Sequence, residues 1–361
     1  MRQITADSIA LLRSLVAVPS QSFFEDKAAD FLFDKLSLWG LSPKRLKNNI
    51  YVPNDGYDAS KPTLVLDAHI DTVPPSPSYT RDPYESGEDP EMIFGLGAND
   101  DGGSVVSMIA VCRHFYKEKM PINLVLTLSA EEERSGSDGF SLLLSENGPS
   151  EVRDAKWAIM GEPTGMKAAT GERGLLVLDC TAEGVSGHAA NGGGVNALYK
   201  AIDDIEKLRH FKFDRISPVM GEVRLNVTQI NAGAAHNVIP DKCSFVVDVR
   251  PTEQYSNAEI FEMLQKECGS TLKARNLANR ASVTPAGSAL VRTLEKKGIE
   301  CFSSPTTSNW VRAGKIEAIK MGPGESVRSH KADEYILASE IGDAVEKYID
   351  FVQGFYGDIM E

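Results

Sequence analysis

The sequence predicts an α/β protein in which a smaller α+β domain is inserted into a larger α/β domain. Strand-like apolar runs alternate with helical patterns in the first part of the chain, which is typical of an α/β sheet. The middle part instead alternates apolar and polar residues, as half-exposed antiparallel strands do. The patterns of the first part then return. We therefore expect residues 1–173 and 285–361 to form the larger domain and residues 174–284 the inserted one.

The elements of the larger domain follow from the spacing of apolar residues. Helices are predicted over 6–18, 25–38 and 102–119, and strands over 43–52, 63–68, 122–128 and 155–160. After residue 284 the same reasoning predicts a helix, a strand over 316–321, a glycine-rich loop and a last helix over 338–356. Such an alternation of strands and helices builds a central sheet covered by helices.

The inserted domain has a different order of elements. Strands are predicted over 174–184, 222–230, 243–250 and 271–277, with helices over 195–208 and 257–268. The resulting β-α-β-β-α-β order is that of a small ferredoxin-like α+β sandwich.

Composition excludes several classes of function. The chain has 361 residues, a net charge of −13 and a pI near 5.1, and so lacks the basic face that nucleic-acid binding needs. No apolar run approaches the roughly 18 residues of a membrane span, and the N-terminal helical pattern lacks the features of a signal peptide. Five scattered Cys without a CxxC motif suggest buried free thiols in a reducing compartment. We therefore expect a cytoplasmic protein that binds neither nucleic acid nor membrane.

The first chemical signal lies at the end of the strand predicted over 63–68. His69 and Asp71 follow it in the stretch LDAHIDTVPP, two residues apart and on one face. A strand-end His alone is more often a structural residue than a metal ligand. A carboxylate at i+2 changes this, because it can accept the second imidazole N–H and orient the ring, as partners of metal ligands do.

Four further segments place carboxylates or imidazole at strand ends or loops, where open α/β sheets carry their sites. They are GLGANDDGG with Asp100, LSAEEE with Glu131–Glu133, MGEPT with Glu162, and SHKADE with His330. Taken alone, the glycine-rich segment also fits a solvated turn. A phosphate-binding loop is disfavoured, because its two adjacent carboxylates would repel phosphate. Taken together, two His and several carboxylates could hold two divalent ions. Nitrogen and oxygen ligands without thiolate fit zinc and also admit manganese or cobalt.

Seven segments in order resemble the co-catalytic zinc family of acetylornithine deacetylase, succinyl-diaminopimelate desuccinylase and carboxypeptidase G. They are HIDTVPP, GLGANDD, AEEE, GEPT, GVSGHAA, NVIPD with VDVRP, and GPGESVRSHKADEY. The resemblance spans nearly the whole chain and is strongest to the acetylornithine deacetylase branch. It implies a mixed-sheet catalytic domain of the zinc exopeptidase type and an inserted lid and dimerisation domain, hence a homodimer.

The resemblance also implies roles for individual residues. It assigns His69, Asp100 and Glu162 to one metal ion and Asp100, Glu133 and His330 to the other. Asp100 would bridge the two ions, and the peptide bond from Asp100 to Asp101 would be cis. Glu132 would be the general base and Asp71 the partner of His69. Because Glu131–Glu133 are identical, a slip by one residue in this assignment stays open.

The inserted domain and a late loop supply the expected substrate contacts. By resemblance, His188 stabilises the oxyanion, commonly from the partner subunit, while Asn237 and Arg250 contact the substrate. Thr307 and Ser308 belong to a loop expected at the substrate pocket. The next residue of that loop is Asn309, where relatives often carry Asp.

The sequence thus predicts a metal-dependent amidohydrolase that removes the acyl group of a small N-acyl amino acid. N-acetylornithine or an N-acylcitrulline in arginine biosynthesis is the expected substrate. A succinyl-diaminopimelate desuccinylase or a dipeptidase or carboxypeptidase on the same two-metal centre stays open. A catalytically silent relative is disfavoured, because all five ligand positions and a base are present.

Overall fold

The computed structural model describes residues 2–314 and 316–360. The chain divides into two compact units. The first comprises Met1–Thr170, Thr284–Phe302 and Ser308–Glu361, and the second comprises Gly171–Val283 with Ser303–Thr307. Within the described ranges, every helix is too short or too polar to serve as a membrane span.

The helices and strands are numbered in chain order. The helices are α1 (Arg2–Val16), α2 (Asp26–Leu38), α3 (Gly103–Phe115), α4 (Phe140–Leu143), α5 (Ser150–Arg153), α6 (Ala197–His210), α7 (Asn257–Glu267), α8 (Ala289–Lys297) and α9 (Ala338–Met360). The strands are β1 (Lys44–Leu46), β2 (Asn49–Pro53), β3 (Thr63–His69), β4 (Met92–Phe94), β5 (Asn123–Ser129), β6 (Trp157–Met160), β7 (Ala168–Glu172), β8 (Leu176–Glu183), β9 (Gly187–His188), β10 (Arg224–Ala232), β11 (Val238–Ile239), β12 (Lys242–Arg250), β13 (Thr271–Ala274), β14 (Ser282–Val283), β15 (Cys301–Ser304), β16 (Glu317–Lys320) and β17 (Tyr335–Leu337).

Local side-chain chemistry sets several helix boundaries. The side chains of Asn196, Ser256 and Ser288 accept hydrogen bonds from backbone N–H groups in the first turns of α6, α7 and α8. These bonds satisfy donors that a helix start leaves without an intrahelical partner. Helix α8 ends at Gly298, which adopts the left-handed conformation (φ +64°) that glycine tolerates best.

A mixed sheet forms the centre of the first unit, with the strand order β1-β2-β5-β3-β6-β16-β7. Strands β5, β3, β6 and β16 are parallel neighbours, while β2 and β7 pair antiparallel with the strands beside them. The carboxyl ends of the four parallel strands therefore lie at one edge of the sheet.

Helices cover both faces of this sheet. Successive residues of β3 point to opposite faces, so Leu64 and Leu66 pack with the core that includes α1, α3 and α9. Val65 instead packs with Phe140 of α4 and Trp310 of the short 3₁₀ helix Asn309–Arg312. Every residue of β3 is buried, which explains why Leu64, Val65 and Leu66 are apolar in succession rather than alternating with polar residues.

The second unit contains a four-stranded antiparallel sheet in the order β10-β12-β8-β13. With the helices α6 and α7, this gives the β-α-β-β-α-β arrangement predicted from the sequence. Alternate residues of β8 and β12 are buried and face the helices. The two-residue strands β9 and β11 form a separate pair, in which His188 lies opposite Val238.

The structure adds strands that the sequence did not predict. Strand β17 pairs with β4 through Tyr335 and Phe94, and β15 pairs with β7. The strand expected over 271–277 ends at Ala274. Strands β4, β15 and β17 are only three or four residues long, too short for an alternating pattern to identify them.

Candidate active site

The parallel strands of the first unit bring the predicted metal ligands to one edge of the sheet. Strand β3 ends at His69, β5 is followed by Glu131–Glu133, and Glu162 lies two residues beyond the end of β6. Asp100 is in the turn before α3, and His330 is in the loop before β17. All five expected ligand positions therefore come from elements that end or turn near the same place.

The Asp100 carboxylate lies between the two imidazoles. Its Oδ1 is 3.2 Å from Nε2 of His69, and its Oδ2 is 3.7 Å from Nε2 of His330. The same nitrogen of His330 is 2.8 Å from Oε1 of Glu133. The bond between Asp100 and Asp101 is cis, as the family resemblance implied.

Two groups of potential ligand atoms are compact enough to surround an ion. The atoms offered by His69, Asp100 and Glu133 lie within 4.8 Å of one another, and so do those of His69, Glu132 and Glu162. A tetrahedral zinc ion with bonds of 2.0–2.1 Å separates its ligand atoms by about 3.3 Å. The two imidazole–Asp100 distances, 3.2 and 3.7 Å, are close to that separation.

The loop after β5 presents two of its three Glu side chains to this group. Glu131 has a positive φ of 59°, and its carboxylate accepts a hydrogen bond from the backbone N–H of Asp138. Glu132 and Glu133 instead belong to the two ligand groups. This placement sets Glu131 apart from Glu132 and Glu133.

Asp71 connects His69 to the same loop. Its carboxylate oxygens accept hydrogen bonds from the backbone N–H groups of Glu132 (2.9 Å) and Glu133 (3.1 Å) and from the Ser22 hydroxyl (2.7 Å). Nδ1 of His69 is 3.0 Å from the backbone carbonyl of Asp71 and 3.5 Å from its carboxylate. The ring is thus oriented mainly by the carbonyl of Asp71, while the carboxylate positions the Glu loop.

Carboxylates are crowded at this site. Burial raises the pKa of Glu132 well above its usual range, and the charges of Glu162 and Glu133 raise it further. Burial raises the pKa of Glu162 to about 7, although Lys320 opposes the shift. The pKa of the buried Asp101 is also raised well above its usual range. Bringing cations among these groups would relieve their mutual repulsion.

The two imidazoles are in surroundings that favour positive charge. The hydrogen bond to Glu133 raises the pKa of His330 to about 9. Burial alone would lower the pKa of His69, but hydrogen bonds to Asp100 and Asp71 raise it well above its usual value. Nitrogen and oxygen donors in a strongly negative field therefore fit a pair of divalent cations.

Three buried charged residues near the site were missed at the sequence level. Glu25 accepts hydrogen bonds from the backbone N–H groups of Phe23 (2.7 Å) and Glu131 (3.2 Å). Lys320 has its Nζ 3.9 Å from Oε2 of Glu162, and Glu334 contacts the turn that carries Asp100. A lysine inside the apolar stretch 316–321 was the signal that could have identified Lys320.

The other expected substrate contacts lie mostly in the second unit. His188 is exposed on β9, where its Nδ1 accepts a hydrogen bond from the backbone N–H of Ala190. The backbone carbonyl of Asn237 accepts a bond from Ala189. Two donors of Arg250, Nε and Nη2, are bound by the carboxylate of Asp248 at 2.7 and 3.0 Å. The bidentate face expected to capture a substrate carboxylate is therefore engaged within β12.

The side chains of the loop 307–309 are hydrogen-bonded within the protein. The Thr307 hydroxyl donates to the backbone carbonyl of Arg173, and the Ser308 hydroxyl accepts from the N–H of Trp310 at the start of a 3₁₀ helix. The side chain of Asn309, in the loop expected at the substrate pocket, is buried beside strands β3 and β5. Nδ2 of Asn309 donates to Asp67 at 3.1 Å.

Comparisons with known proteins agree with this geometry. The family model described as Peptidase dimerisation domain (M20_dimer) matches residues 170–276, and that of Peptidase family M28 matches residues 49–152. The chain is 31% identical to a succinyl-diaminopimelate desuccinylase of Cereibacter sphaeroides, over 97% of this chain and 99% of the relative. It is 28% identical to an acetylornithine deacetylase of Buchnera aphidicola, over 92% and 94% of the two chains.

A solved structure shows the same fold. An M20 family metallo-carboxypeptidase, Sso-CP2 from Sulfolobus solfataricus, superposes with a TM-score of 0.75 at 18% identity, over 97% of this chain and 99% of that one. The mixed-sheet domain with an inserted α+β domain is thus the zinc exopeptidase fold predicted from the sequence. The desuccinylase relative matches along its whole length, and the dimerisation-domain model matches the second unit. The chain therefore belongs to the M20 family of metal-dependent amide hydrolases.

Proposed function

We propose that this protein hydrolyses the amide bond of an N-acyl amino acid at a centre of two divalent metal ions. Zinc is the proposed metal, with cobalt or manganese as alternatives. The observation that carries the proposal is the position of Asp100, whose two carboxylate oxygens face His69 and His330 separately. A carboxylate placed in this way is suited to bridge two ions.

The proposed ligand sets share that carboxylate. His69, Asp100 and Glu162 would hold one ion, and Asp100, Glu133 and His330 the other. Support for the second set is direct, since His330 lies within 3.7 Å of Asp100 and within 2.8 Å of Glu133. For the first set, His69 is near Asp100 at 3.2 Å and belongs with Glu162 to one compact group.

The roles of the remaining groups follow from their placement. Bound divalent ions would supply a water of lowered pKa and polarise the substrate carbonyl. Glu132 would take the proton of the attacking water and return it to the leaving amine. Asp71 would keep Glu132 in place through its bond to the Glu132 backbone N–H.

Substrate contacts are proposed from the second unit. His188 would stabilise the oxyanion, supplied by the partner subunit of a dimer, and Asn237 would help to place the amide. Arg250 would bind the α-carboxylate while it stays paired with Asp248. Thr307 and Ser308 stay proposed as contacts through their backbone, since both hydroxyls are already hydrogen-bonded.

N-acetylornithine or an N-acylcitrulline is the proposed substrate, and arginine biosynthesis the proposed setting. The support is the sequence resemblance together with the acetylornithine deacetylase relative. A second candidate is succinyl-diaminopimelate, because a relative with that desuccinylase name is 31% identical. Dipeptidase or carboxypeptidase activity is a further alternative, given the metallo-carboxypeptidase of the same fold.

The release of free α-amine from a substrate panel tests this proposal. The panel contains N-acetylornithine, N-acetylcitrulline, N-succinylcitrulline, N-succinyl-diaminopimelate and a dipeptide, each assayed with zinc or cobalt and with a chelator. We expect chelator-sensitive release from an acyl-ornithine or acyl-citrulline. Preference for succinyl-diaminopimelate or the dipeptide would replace the substrate assignment, and silence across the panel would contradict the proposed reaction.

We also propose that the second unit forms a homodimer, which its match to a peptidase dimerisation domain supports. Helix α6 exposes Tyr199 (65%) and Ile202 (48%), and Ile230 is exposed on β10, an end strand of the sheet. Apolar side chains beside an end strand are suited to pair with a second copy. Light scattering should give twice the 39.3 kDa chain mass, and an active monomer would rule out His188 acting across subunits.

A further inference from the structure

Two buried side chains connect the loop of Asp100 to the loop of His330. On the basis of the two-ion centre proposed above, we propose that Asn99 and Glu334 are positioning residues. Their hydrogen bonds hold these two loops together, an arrangement called the clamp below. In this way they position Asp100 and His330 for the ion that both would bind. Neither residue lies among the proposed ligands or the proposed base.

Glu334 holds the main chain of the bridging ligand. Its Oε1 accepts hydrogen bonds from the backbone N–H groups of Asn99 (2.8 Å) and Asp100 (2.9 Å). The residue is only 3% exposed. The backbone carbonyl of Glu334 also accepts a hydrogen bond from the N–H of Gly95. Both the side chain and the backbone of Glu334 are therefore hydrogen-bonded to residues 95–100.

Asn99 makes the reciprocal connection. Its Oδ1 accepts from the backbone N–H of Glu325 at 3.0 Å, and its Nδ2 donates to the carbonyl of Glu325 at 3.2 Å. Nδ2 also lies 3.4 Å from the hydroxyl of Ser329. Gly324 leaves room for this side chain, because a Cβ there would lie 2.3 Å from Oδ1 of Asn99.

The clamp should matter most for the ion at His330. That side chain is 53% exposed, and it contacts the ligand candidates Glu133 and Asp100. His330 lies in a loop, whereas His69 ends the buried strand β3 and Glu162 follows the buried strand β6. Loss of the clamp would therefore displace Asp100 and His330 while His69 and Glu162 keep their supports.

Metal binding by Glu334→Leu and Glu334→Gln tests the proposal. Leucine removes both acceptor bonds, whereas glutamine keeps an acceptor oxygen toward the N–H groups of residues 99 and 100. The matched control is Asp333→Asn, because Asp333 holds the same loop through Thr80 and Arg81 instead. Cobalt is titrated into metal-free protein, with binding followed by visible absorption and by metal analysis after equilibrium dialysis.

We expect Glu334→Leu to lower the affinity for the second cobalt ion by about 10–100-fold, as removal of partners behind metal ligands does. The first ion shares Asp100 but keeps His69 and Glu162, so its affinity should fall by less. Glu334→Gln and Asp333→Asn should bind both ions nearly as the wild type does. If circular dichroism shows that the leucine protein does not fold, Asn99→Asp gives an independent second variant. It loses the Nδ2 donor to the carbonyl of Glu325.

If Glu334→Leu lowers the affinity for both ions equally, or leaves both affinities unchanged, the proposed role of Asn99 and Glu334 is contradicted. A wild-type protein that binds fewer than two ions would instead contradict the proposed two-metal centre, so the two failures are distinguishable.

Discussion

Replacing Glu132 with Gln is expected to lower kcat by about 10²–10⁴-fold without loss of bound metal, because it removes a general base but not a proposed ligand. The amide cannot accept the proton of an attacking water. The loop itself should stay in place, since the bonds to Asp71 come from the backbone N–H groups of Glu132 and Glu133. Steady-state kinetics and metal analysis of the same preparation measure both quantities.

Glu131→Gln is the matched control for this prediction. The Glu131 carboxylate accepts a hydrogen bond from the Asp138 N–H, which an amide oxygen can also accept. We expect this variant to keep most of its activity. A Glu132→Gln protein with wild-type kcat, or a Glu131→Gln protein without activity, would show that the base lies elsewhere in this loop.

Replacing Asn309 with Asp is expected to destabilise the first unit by about 3–5 kcal/mol near neutral pH, because it buries a second carboxylate beside that of Asp67. Nδ2 of Asn309 donates to Oδ2 of Asp67 at 3.1 Å and to the Ser129 hydroxyl at 2.9 Å. Asp67 is 2% exposed and Asn309 is 4% exposed. Two carboxylates at this distance cannot both ionise at low cost. Urea unfolding at fixed metal concentration gives the free energy.

The double variant Asp67→Asn with Asn309→Asp should recover most of that stability, because it restores one amide facing one carboxylate. This rescue distinguishes charge repulsion from a general loss of packing. If the double variant is as unstable as Asn309→Asp alone, repulsion from Asp67 is not the cause.

The pH dependence of this pair has a defined sign. Burial raises the pKa of Asp67 from 3.8 to about 6. A raised folded-state pKa means that the contribution of Asp67 to stability is full below pH 3.8 and is lost as the pH rises through about 6. The penalty of Asn309→Asp should accordingly shrink as the pH falls below that value, since the folded protein can then hold the extra proton.

The ends of the strands and the candidate ligands that follow them could be predicted from the sequence. Each prediction depends only on the pattern of apolar residues in a short segment. The apolar run before His69 predicts a buried strand, and the same holds for the runs before Glu131 and Glu162. Parallel strands then bring their carboxyl ends to one edge. The order of elements in the second unit followed from alternation and helical spacing in the same way.

The contacts that were missed connect residues far apart in sequence. Asn309 and Asp67 are 242 residues apart, and Glu334 and Asp100 are 234 apart. Such partners depend on the folded path of the chain, which no local pattern records. The pairing of Arg250 with Asp248 is different, since residues i and i+2 of a strand share a face and the sequence alone could have indicated it.

The most direct test of the two-metal centre is amide hydrolysis measured against the number of bound metal ions. Metal-free protein is titrated with zinc or cobalt, and α-amine release and ions per chain are recorded at each step. We expect no activity without metal, full activity on reconstitution, and two ions per chain in the wild type. Full activity in metal-free protein, or binding that saturates at a single ion per chain, would contradict a centre bridged by Asp100.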